Sequence, residues 1–370
     1  MKKVKVLHII SSLNTGGAEL FLLNLLKNFS NKHIEHDVMC LSGKGTLSRK
    51  FQLATNKVIH LNFKKNFFQI IRDFFYFYKF TNKNKYDVIQ GWMYHGNLFA
   101  LIFSLLSKKR NLFWNIRQTL YSLKNEKFLT KLIIFLNSLL SKFPKMIICN
   151  SELSIKQHQN FGFKKKFIFI PNGIDLHKFN KNYQRKRKNY INIAHVARFH
   201  PMKNHSLALK IAHQIVAKND NVKFFFIGKN VNYKNNFFKS NVDHQLLNKK
   251  IFLLNEKKNI NVFLRNIDIL ISTSLWGEGF PNILLEATAM GITCISTNIG
   301  DTKKILINGF LINNKNKYTK FLNILEKIIK KKIKINKKPN ANLSKYLRKN
   351  FSLKNICYKY EKIYFKQLNR

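Results

Sequence analysis

Carboxylates are scarce in this chain, with 17 Asp and Glu against 67 Lys and Arg. Two glutamates in one short loop therefore draw the eye. The segment Ser274-Leu-Trp-Gly-Glu-Gly-Phe-Pro-Asn-Ile-Leu-Leu-Glu286 follows an apolar run that reads as a strand and precedes a helical pattern. Pro281 suits the first helical position. The amides of Phe280, Pro281's neighbour Asn282, Ile283 and Leu284 lie where a helix start can grip an anion. Gly279 removes side-chain bulk where a diphosphate would have to come close. Glu286 lies one turn into that helix, about 6 Å along the axis from Asn282, where a carboxylate can accept hydrogen bonds from ribose hydroxyls. Glu278, in the loop, can reach a sugar ring. The plainer alternative is a helix-capping loop with two solvated glutamates.

Three further sets of residues could carry chemistry. Arg198 and Lys203 follow a strand-like run, and two fixed cations there would stabilise the charge that grows on a departing diphosphate, Arg as a fork and Lys as a point charge. In so basic a chain any single cation can equally be a solvated surface group. Gly16 and Gly17 end the first strand-like run and open a helix, so backbone can approach a phosphate or sugar there; a plain tight turn is the rival reading. No G-x-G-x-x-G stands at that point, which counts against a nicotinamide enzyme. His95, in Gln90-Gly-Trp-Met-Tyr-His-Gly-Asn97, follows another strand-like run and can orient a hydroxyl or exchange a proton near neutral pH, or be merely structural.

The elements that must hold these residues alternate along the chain. Strand patterns fall at 4–10, 36–41, 57–61, 87–90, 112–115 and 146–150, with helical patterns at 18–28 and 67–80. A second series has strands at 191–197, 223–227, 251–254, 267–272 and 294–296 and helices at 206–218 and 282–290. Such alternation predicts α/β units built on parallel sheets with helices on both faces. The expected organisation is a Rossmann-like domain over 1–172, a basic linker over 173–190, a second Rossmann-like domain over 191–345, and a final segment 346–370. Ligands of such sheets sit outside the carboxyl ends of the strands.

At 370 residues and 45% hydrophobic the chain can bury two cores. No run reaches the roughly 18 apolar residues of a spanning helix, and MKKVKVLHIISSL reads as a buried first strand instead of a secretory signal. Cys40, Cys149, Cys294 and Cys357 are too dispersed for a zinc site or a disulfide framework. These features predict a cytoplasmic protein. The formal charge of +50 draws such a chain to polyanions, nucleic acid or anionic lipid, although abundant Lys, Asn, Ile and Phe together also reflect an A/T-rich coding bias. Two aromatic and basic helical stretches, 66–80 and 127–143, fit either an interfacial membrane helix or ordinary packing on a sheet.

The spacing Glu278-x7-Glu286 within E-G-F-P-N-x-x-L-E-A resembles the donor-site motif of family 4 retaining glycosyltransferases. Asn14-Thr-Gly-Gly-Ala-Glu19 resembles that family's N-terminal glycine loop. Pro171-Asn-Gly-Ile-Asp175 with Phe179 resembles its interdomain segment, and Ala197-Arg-Phe-His-Pro-Met-Lys203 the stretch with its phosphate-binding Arg and Lys. Phe351-Ser-Leu353 and 360–368 resemble its closing helix. The resemblance implies the GT-B fold, two Rossmann-like domains facing each other across a cleft, the first being the acceptor side, the second binding the nucleotide sugar and the final segment returning to the first. It also implies transfer of a sugar, with retention, from a nucleotide-diphosphate sugar to a lipid-linked saccharide or polysaccharide in cell-surface glycan or lipopolysaccharide biosynthesis. In that role Glu286 fixes the ribose and Glu278 contacts the donor sugar. Arg198 and Lys203 hold the diphosphate, and Gly16, Gly17 and His95 shape the acceptor side. No D-x-D is present, so neither metal nor cofactor is expected. Peripheral placement on the cytoplasmic face of the inner membrane and no specific nucleic acid are expected as well. The chain departs from the family pattern at Ala197 and Asn255, where glycines are expected, and at Trp92, which stands where a histidine is expected. The alternatives are a nucleic-acid-binding basic protein, for which no module is visible, and a nucleotide-sugar epimerase of related fold.

Overall fold

The computed structural model describes residues 3–31, 33–63, 67–109, 111–120, 123, 128–179, 190–257, 259–313, 316–331, 333, 335 and 341–366. Most of the expected basic linker falls outside them. The chain forms two compact units, Met1–Gly173 with Phe351–Arg370, and Ile174–Asn350.

The first unit is built on seven strands: β1 (Val4–Ile10), β2 (Ile34–Cys40), β3 (Lys57–His60), β4 (Val88–Trp92), β5 (Leu112–Ile116), β6 (Met146–Cys149) and β7 (Phe167–Phe169). Their order is β3-β2-β1-β4-β5-β6-β7, and every pairing is parallel. Strands β4 and β5 are buried along their whole length, as expected of central strands covered on both faces. On one face Val6 and Ile10 meet Phe21 and Leu25 of the Gly17–Asn28 helix and Ile356 and Tyr360 of the Leu353–Lys366 helix. On the other, Leu7 and Ile9 meet Phe77, Phe103 and Ile134, from the helices Phe67–Lys83, Met93–Leu106 and Phe128–Leu139.

The Leu353–Lys366 helix is thus an integral part of the first unit. Its Tyr360 hydroxyl accepts from Asn115 Nδ2 at 2.7 Å, its Glu361 carboxylate accepts from the Ser30 and Asn31 amides at 3.2 and 3.3 Å, and Tyr364 donates to Gln90. Gly173 lets the chain pass close beneath it, because a Cβ there would lie 3.0 Å from Leu353 Cα.

The second unit carries six strands: β8 (Ile191–Val196), β9 (Val222–Ile227), β10 (Ile251–Leu254), β11 (Ile269–Ser272), β12 (Thr293–Thr297) and β13 (Phe310–Ile312). Their order is β10-β9-β8-β11-β12-β13, again all parallel. Each sheet grows outward in one direction from its first strand and then restarts on that strand's other side, at β1/β4 and at β8/β11. In open parallel sheets this reversal leaves a crevice at the strands' carboxyl ends.

The two three-residue edge strands, β7 and β13, were not expected from sequence; each is too short to show a periodic pattern. At the opposite end of the sheets from the crevices, the same device recurs. Asp87, just before β4, accepts from the Lys5 amide at 2.9 Å and donates its own amide to Lys5 O at 2.9 Å. Asp268, just before β11, does the same with Asn192, at 2.9 Å both ways.

Among the described residues no helix is long and apolar enough to cross a membrane. All four cysteines are free and buried.

The Asp268 clamp makes a testable claim. Asp268→Ala leaves the Asn192 amide without its side-chain acceptor and should destabilise the second unit by about 1–3 kcal/mol. Asp268→Asn, which keeps an acceptor oxygen, should lose less, as read from urea midpoints.

Candidate functional site

The residues following β8 and β11 meet at the switch point of the second sheet. After β8 the chain runs through Ala197, whose amide donates to Ile227 O at 2.8 Å. Gly228 permits this approach, since a Cβ there would fall 2.0 Å from Ala197 O. Alanine therefore fits where the family pattern has glycine. A 3-10 turn, Pro201–Lys203, follows, and left-handed Asn204 (φ 51°, ψ 56°) then caps the His205–Lys218 helix by accepting from the Leu207 amide at 3.3 Å.

This turn is tied to the neighbouring loop. Thr273 Oγ1 lies 2.9 Å from Lys203 O, 3.0 Å from Asn204 O and 3.1 Å from His195 Nε2. A hydroxyl has one proton to donate. Given to the carbonyls, it leaves the oxygen to accept from His195, which must then carry its proton on Nε2. The Leu275 amide adds a bond to Met202 O at 2.7 Å.

The loop from Thr273 to Pro281 is pinned at its far side too. Thr297 Oγ1 donates to Ser274 O at 2.7 Å and the Asp301 amide to Gly279 O at 2.9 Å. Gly277 has φ +79° and Gly300 φ +62°, a region that favours glycine. A Cβ on Gly300 would also strike Glu278 O at 2.3 Å and Gly279 O at 2.5 Å. Phe280 is buried and Gly279 and Pro281 sit beside it in the interior, so the backbone enters the Asn282–Ala289 helix from a fixed direction.

Pro281 is the residue before the helix, with ψ 107°, and not its first residue as the sequence suggested. An extended ψ there turns the chain into the helix one residue later. Pro281 itself offers no side-chain cap, and the first-turn amides of any helix lack intrahelical acceptors. Asn282 and Ile283, the first two helical residues, are partly exposed.

The structure brings Lys203 and Glu278 into a direct ion pair, with Ser274 Oγ also donating to the same carboxylate oxygen at 3.3 Å. Both side chains keep a little solvent access, 19% and 16%. Burial, helped by the charge of Arg198, pushes the Lys203 ammonium down to about 8 in spite of the carboxylate beside it. Arg198 itself is exposed. Glu286 has no hydrogen-bond or ion-pair partner among the described residues, and burial pushes its carboxyl up to about 7. A half-buried acid with a raised carboxyl, on the helix entered by the loop that holds a partly buried ion pair, is the kind of perturbed titration that functional sites show. Among the described residues no group of three or more His, Cys, Asp or Glu could hold a metal ion.

Gly16, Gly17 and His95 belong to the other unit and follow β1 and β4, whose carboxyl ends pair as Ile10 with Trp92. Gly16 is the residue before the Gly17–Asn28 helix, and a Cβ there would lie 2.3 Å from Glu19 Oε2. At Gly17 a Cβ would meet nothing within 4 Å, so crowding does not require that glycine. His95 is in the first turn of the Met93–Leu106 helix and is half-buried. Gly96 lets this turn rest on β1, where a Cβ would be 2.4 Å from Ile9 O. Trp92 is fully buried, donates to His8 Nδ1 at 3.1 Å and stacks on Tyr360; it belongs to the core, and His95 is the group left at this sheet end.

Sequence reasoning missed the residues that hold the loops: Thr273, Met202 and Gly300. Only the glycine following a strand, in Asn298-Ile-Gly-Asp301, offered a local hint.

Residues 15–178 match the family model described as Glycosyltransferase Family 4, and residues 177–350 match Glycosyl transferases group 1. The chain is 27% identical over 307 residues to the capsular polysaccharide biosynthesis glycosyltransferase CapH of Staphylococcus aureus, covering 82% of this chain and 83% of that one. It is 26% identical over 273 residues to the UDP-Gal:alpha-D-GlcNAc-diphosphoundecaprenol alpha-1,3-galactosyltransferase of Escherichia coli, covering 69% and 70%. Among solved structures, Anabaena HepE in complex with UDP-glucose superposes with a TM-score of 0.80 at 17% identity over 99% of both chains.

The raised Glu286 carboxyl has a stability signature. Folding to a state with a carboxyl near 7 in place of the ordinary 4.5 favours the protonated form, so stability falls as pH rises from about 4.5 to 7 and the penalty is complete above that. Glu286→Gln should therefore stabilise the second unit by about 1–3 kcal/mol at pH 8 and leave it unchanged at pH 4, in urea titrations at the two pH values.

Proposed function

The chain belongs to the family 4 glycosyltransferases, and from that premise we propose that it transfers a hexose from a UDP-hexose to a lipid-linked glycan, with retention, during assembly of a cell-surface polysaccharide. The observation that carries the reading is the Lys203–Glu278 ion pair beside the sheet's switch point, with the raised carboxyl of Glu286 on the helix that the same loop enters. The printed names of the relatives support the choice of donor and acceptor, a UDP-galactose-dependent enzyme acting on a diphosphoundecaprenol lipid and a structural neighbour holding UDP-glucose.

In this reading the diphosphate rests on the first-turn amides of the Asn282–Ala289 helix, near Gly279, Phe280, Pro281, Asn282 and Ile283. Arg198 supplies a fork to the phosphates and Lys203 a point charge. Glu286, ionised, accepts from the ribose hydroxyls. Glu278 exchanges part of its pairing with Lys203 for hydroxyls of the donor sugar. As the bond from the anomeric carbon to the β-phosphate oxygen breaks, its electron pair stays on that oxygen. Fixed cations and amides stabilise this charge without reorganising. The acceptor hydroxyl forms the new bond and its proton passes to the departing phosphate. Gly16, Gly17 and His95 line the acceptor side, with His95 orienting the incoming hydroxyl.

The purified chain, given UDP-galactose or UDP-glucose and a lipid-linked N-acetylglucosamine diphosphate, should form a disaccharide lipid detectable by mass spectrometry. Arg198→Ala and Glu286→Ala should each lower kcat/KM by about 10²–10³ with circular dichroism intact. Because kcat/KM reports groups of the free enzyme, it should rise with pH through about 7 as Glu286 ionises. It should fall above about 8 as Lys203 loses its proton, and Glu286→Gln should erase the acid limb. Full activity in either alanine variant, or conversion of the donor sugar without acceptor, would overturn the reading.

A further inference from the structure

The Phe128–Leu139 helix is built inside out. Its buried face carries Asn137 and Ser138, followed by Ser141 in the adjoining 3-10 turn, beside Ile133 and Ile134. The donors of these polar side chains are bonded locally, while Asn137 Oδ1 has no partner among the described residues. Asn137 Nδ2 donates to Tyr94 O and Ile133 O at 3.1 and 2.8 Å, Ser138 Oγ to Phe161 O at 3.3 Å, and Ser141 Oγ to Ser138 O at 2.7 Å. The outward face is Phe128, Leu129, Leu132, Phe135 and Leu139, between 43% and 82% exposed. A helix facing water normally turns its polar side outward.

The Phe67–Lys83 helix repeats the anomaly. It buries Asp73, Phe77 and Phe80 and turns Phe68, Phe74, Phe75 and Tyr78 outward, at 81%, 50%, 67% and 48% exposure. Both helices pack against the Met93–Leu106 helix on the same face of the first sheet, so their outward sides belong to one region of that unit. Of the twenty exposed large apolar side chains among the described residues, twelve lie at 68–78 and 128–143, and three in the whole second unit. A coding bias toward Phe and Ile acts on both units alike and does not produce this concentration.

We propose that this face seats the first unit on an anionic lipid bilayer, the aromatic and leucyl side chains entering the interface and the lysines meeting the headgroups. The charge decides for lipid over a second copy of the chain. Residues 67–85 hold four Lys and Arg against one acid, the buried Asp73, and residues 128–145 hold three against none. Two such faces repel each other, whereas an anionic surface attracts them, by about 1 kcal/mol for each Lys or Arg near it. Alternating bulky apolar and basic residues along one side is the pattern of helices that lie in the interface plane. This inference stands apart from the proposed reaction, since binding to lipid requires neither donor nor acceptor.

The test separates insertion from simple charge attraction, which any chain of +50 shows at low salt. The full chain is sedimented with vesicles of phosphatidylcholine and phosphatidylglycerol in 0.15 M and 0.5 M NaCl, the higher salt cutting the reach of charge to a few ångströms. The comparison is a variant of equal charge, Phe68→Ser, Phe75→Ser, Leu132→Ser and Phe135→Ser combined. All four side chains are exposed, so circular dichroism should not change. Wild type is expected to stay bound at the higher salt and the variant to lose at least about ten-fold in partition coefficient. Equal binding by the two proteins would overturn the proposal. So would a wild-type dimer in light scattering that the variant converts to monomer while neither binds vesicles.

Discussion

Register between the first and fourth strands of each sheet is the constraint on which the rest depends. A slip of one residue in a parallel pair would turn every side chain to the opposite face, exchanging the layers that bury Val6 and Leu7 on opposite sides of β1. It would also move the loops at the strands' far ends. Asp87 and Asp268 fix that register from the amino ends, each closing a two-way bond with the strand across the switch point, to Lys5 and to Asn192. With β8 and β11 locked there, the chain leaving each strand emerges at a set height, and Thr273 can reach the carbonyls of Lys203 and Asn204. The ion pair of Lys203 with Glu278 follows from that alignment. Bringing opposite charges to low exposure carries a desolvation penalty that only good geometry offsets, and the geometry originates at the other end of the strands, eleven residues before Lys203 and ten before Glu278.

What could be read in the sequence was local. Glu278, Gly279, Pro281 and Glu286 lie within one short segment, and their types and spacing identify a strand, a turn and a helix start without knowledge of any partner. Arg198 and Lys203 needed only their place after a strand. What escaped were contacts between segments. Thr273 looks like any strand-end threonine until the Pro201–Lys203 turn is laid beside it. Gly300 acquires its meaning from the carbonyls of Glu278 and Gly279, 22 and 21 positions earlier. The short strands β7 and β13 are called into being by their neighbours' unpaired edges, since three residues show no periodicity of their own. Trp92 could have been placed at the open carboxyl end of β4 or in the core, and its bond to His8 and stacking on Tyr360 put it in the core.

The closing helix shows the same dependence on distant partners. Leu353–Lys366 buries Leu353, Ile356, Cys357, Tyr360, Glu361 and Tyr364 at helical spacing, Ile356, Tyr360 and Tyr364 completely, but the polar tips on that face need partners from elsewhere. Two of them bond to residues some 250 positions away, Tyr360 to Asn115 and Tyr364 to Gln90. Buried hydroxyls demand such partners, so this helix and strands β4 and β5 specify one another. The face it covers is finished by protein. The opposite face of the same sheet is finished by helices whose outer sides are apolar, and the asymmetry lies within one unit of one composition.

The economy of carboxylates bears on the site as well. In a chain of +50 the surrounding field favours ionised acids, and most described acids are engaged: Asp87 and Asp268 in the clamps, Glu361 on backbone amides, Glu35 with Lys3, Asp37 with the Tyr86 hydroxyl. Glu286 runs against that field. Its carboxyl is pushed up to about 7 by burial alone, so desolvation outweighs the attraction of every cation around it. A glutamine of the same shape would avoid the penalty. An acid kept at such a position is stabilised only when something donates hydrogen bonds to it, and vicinal hydroxyls of a sugar ring are donors of the right kind.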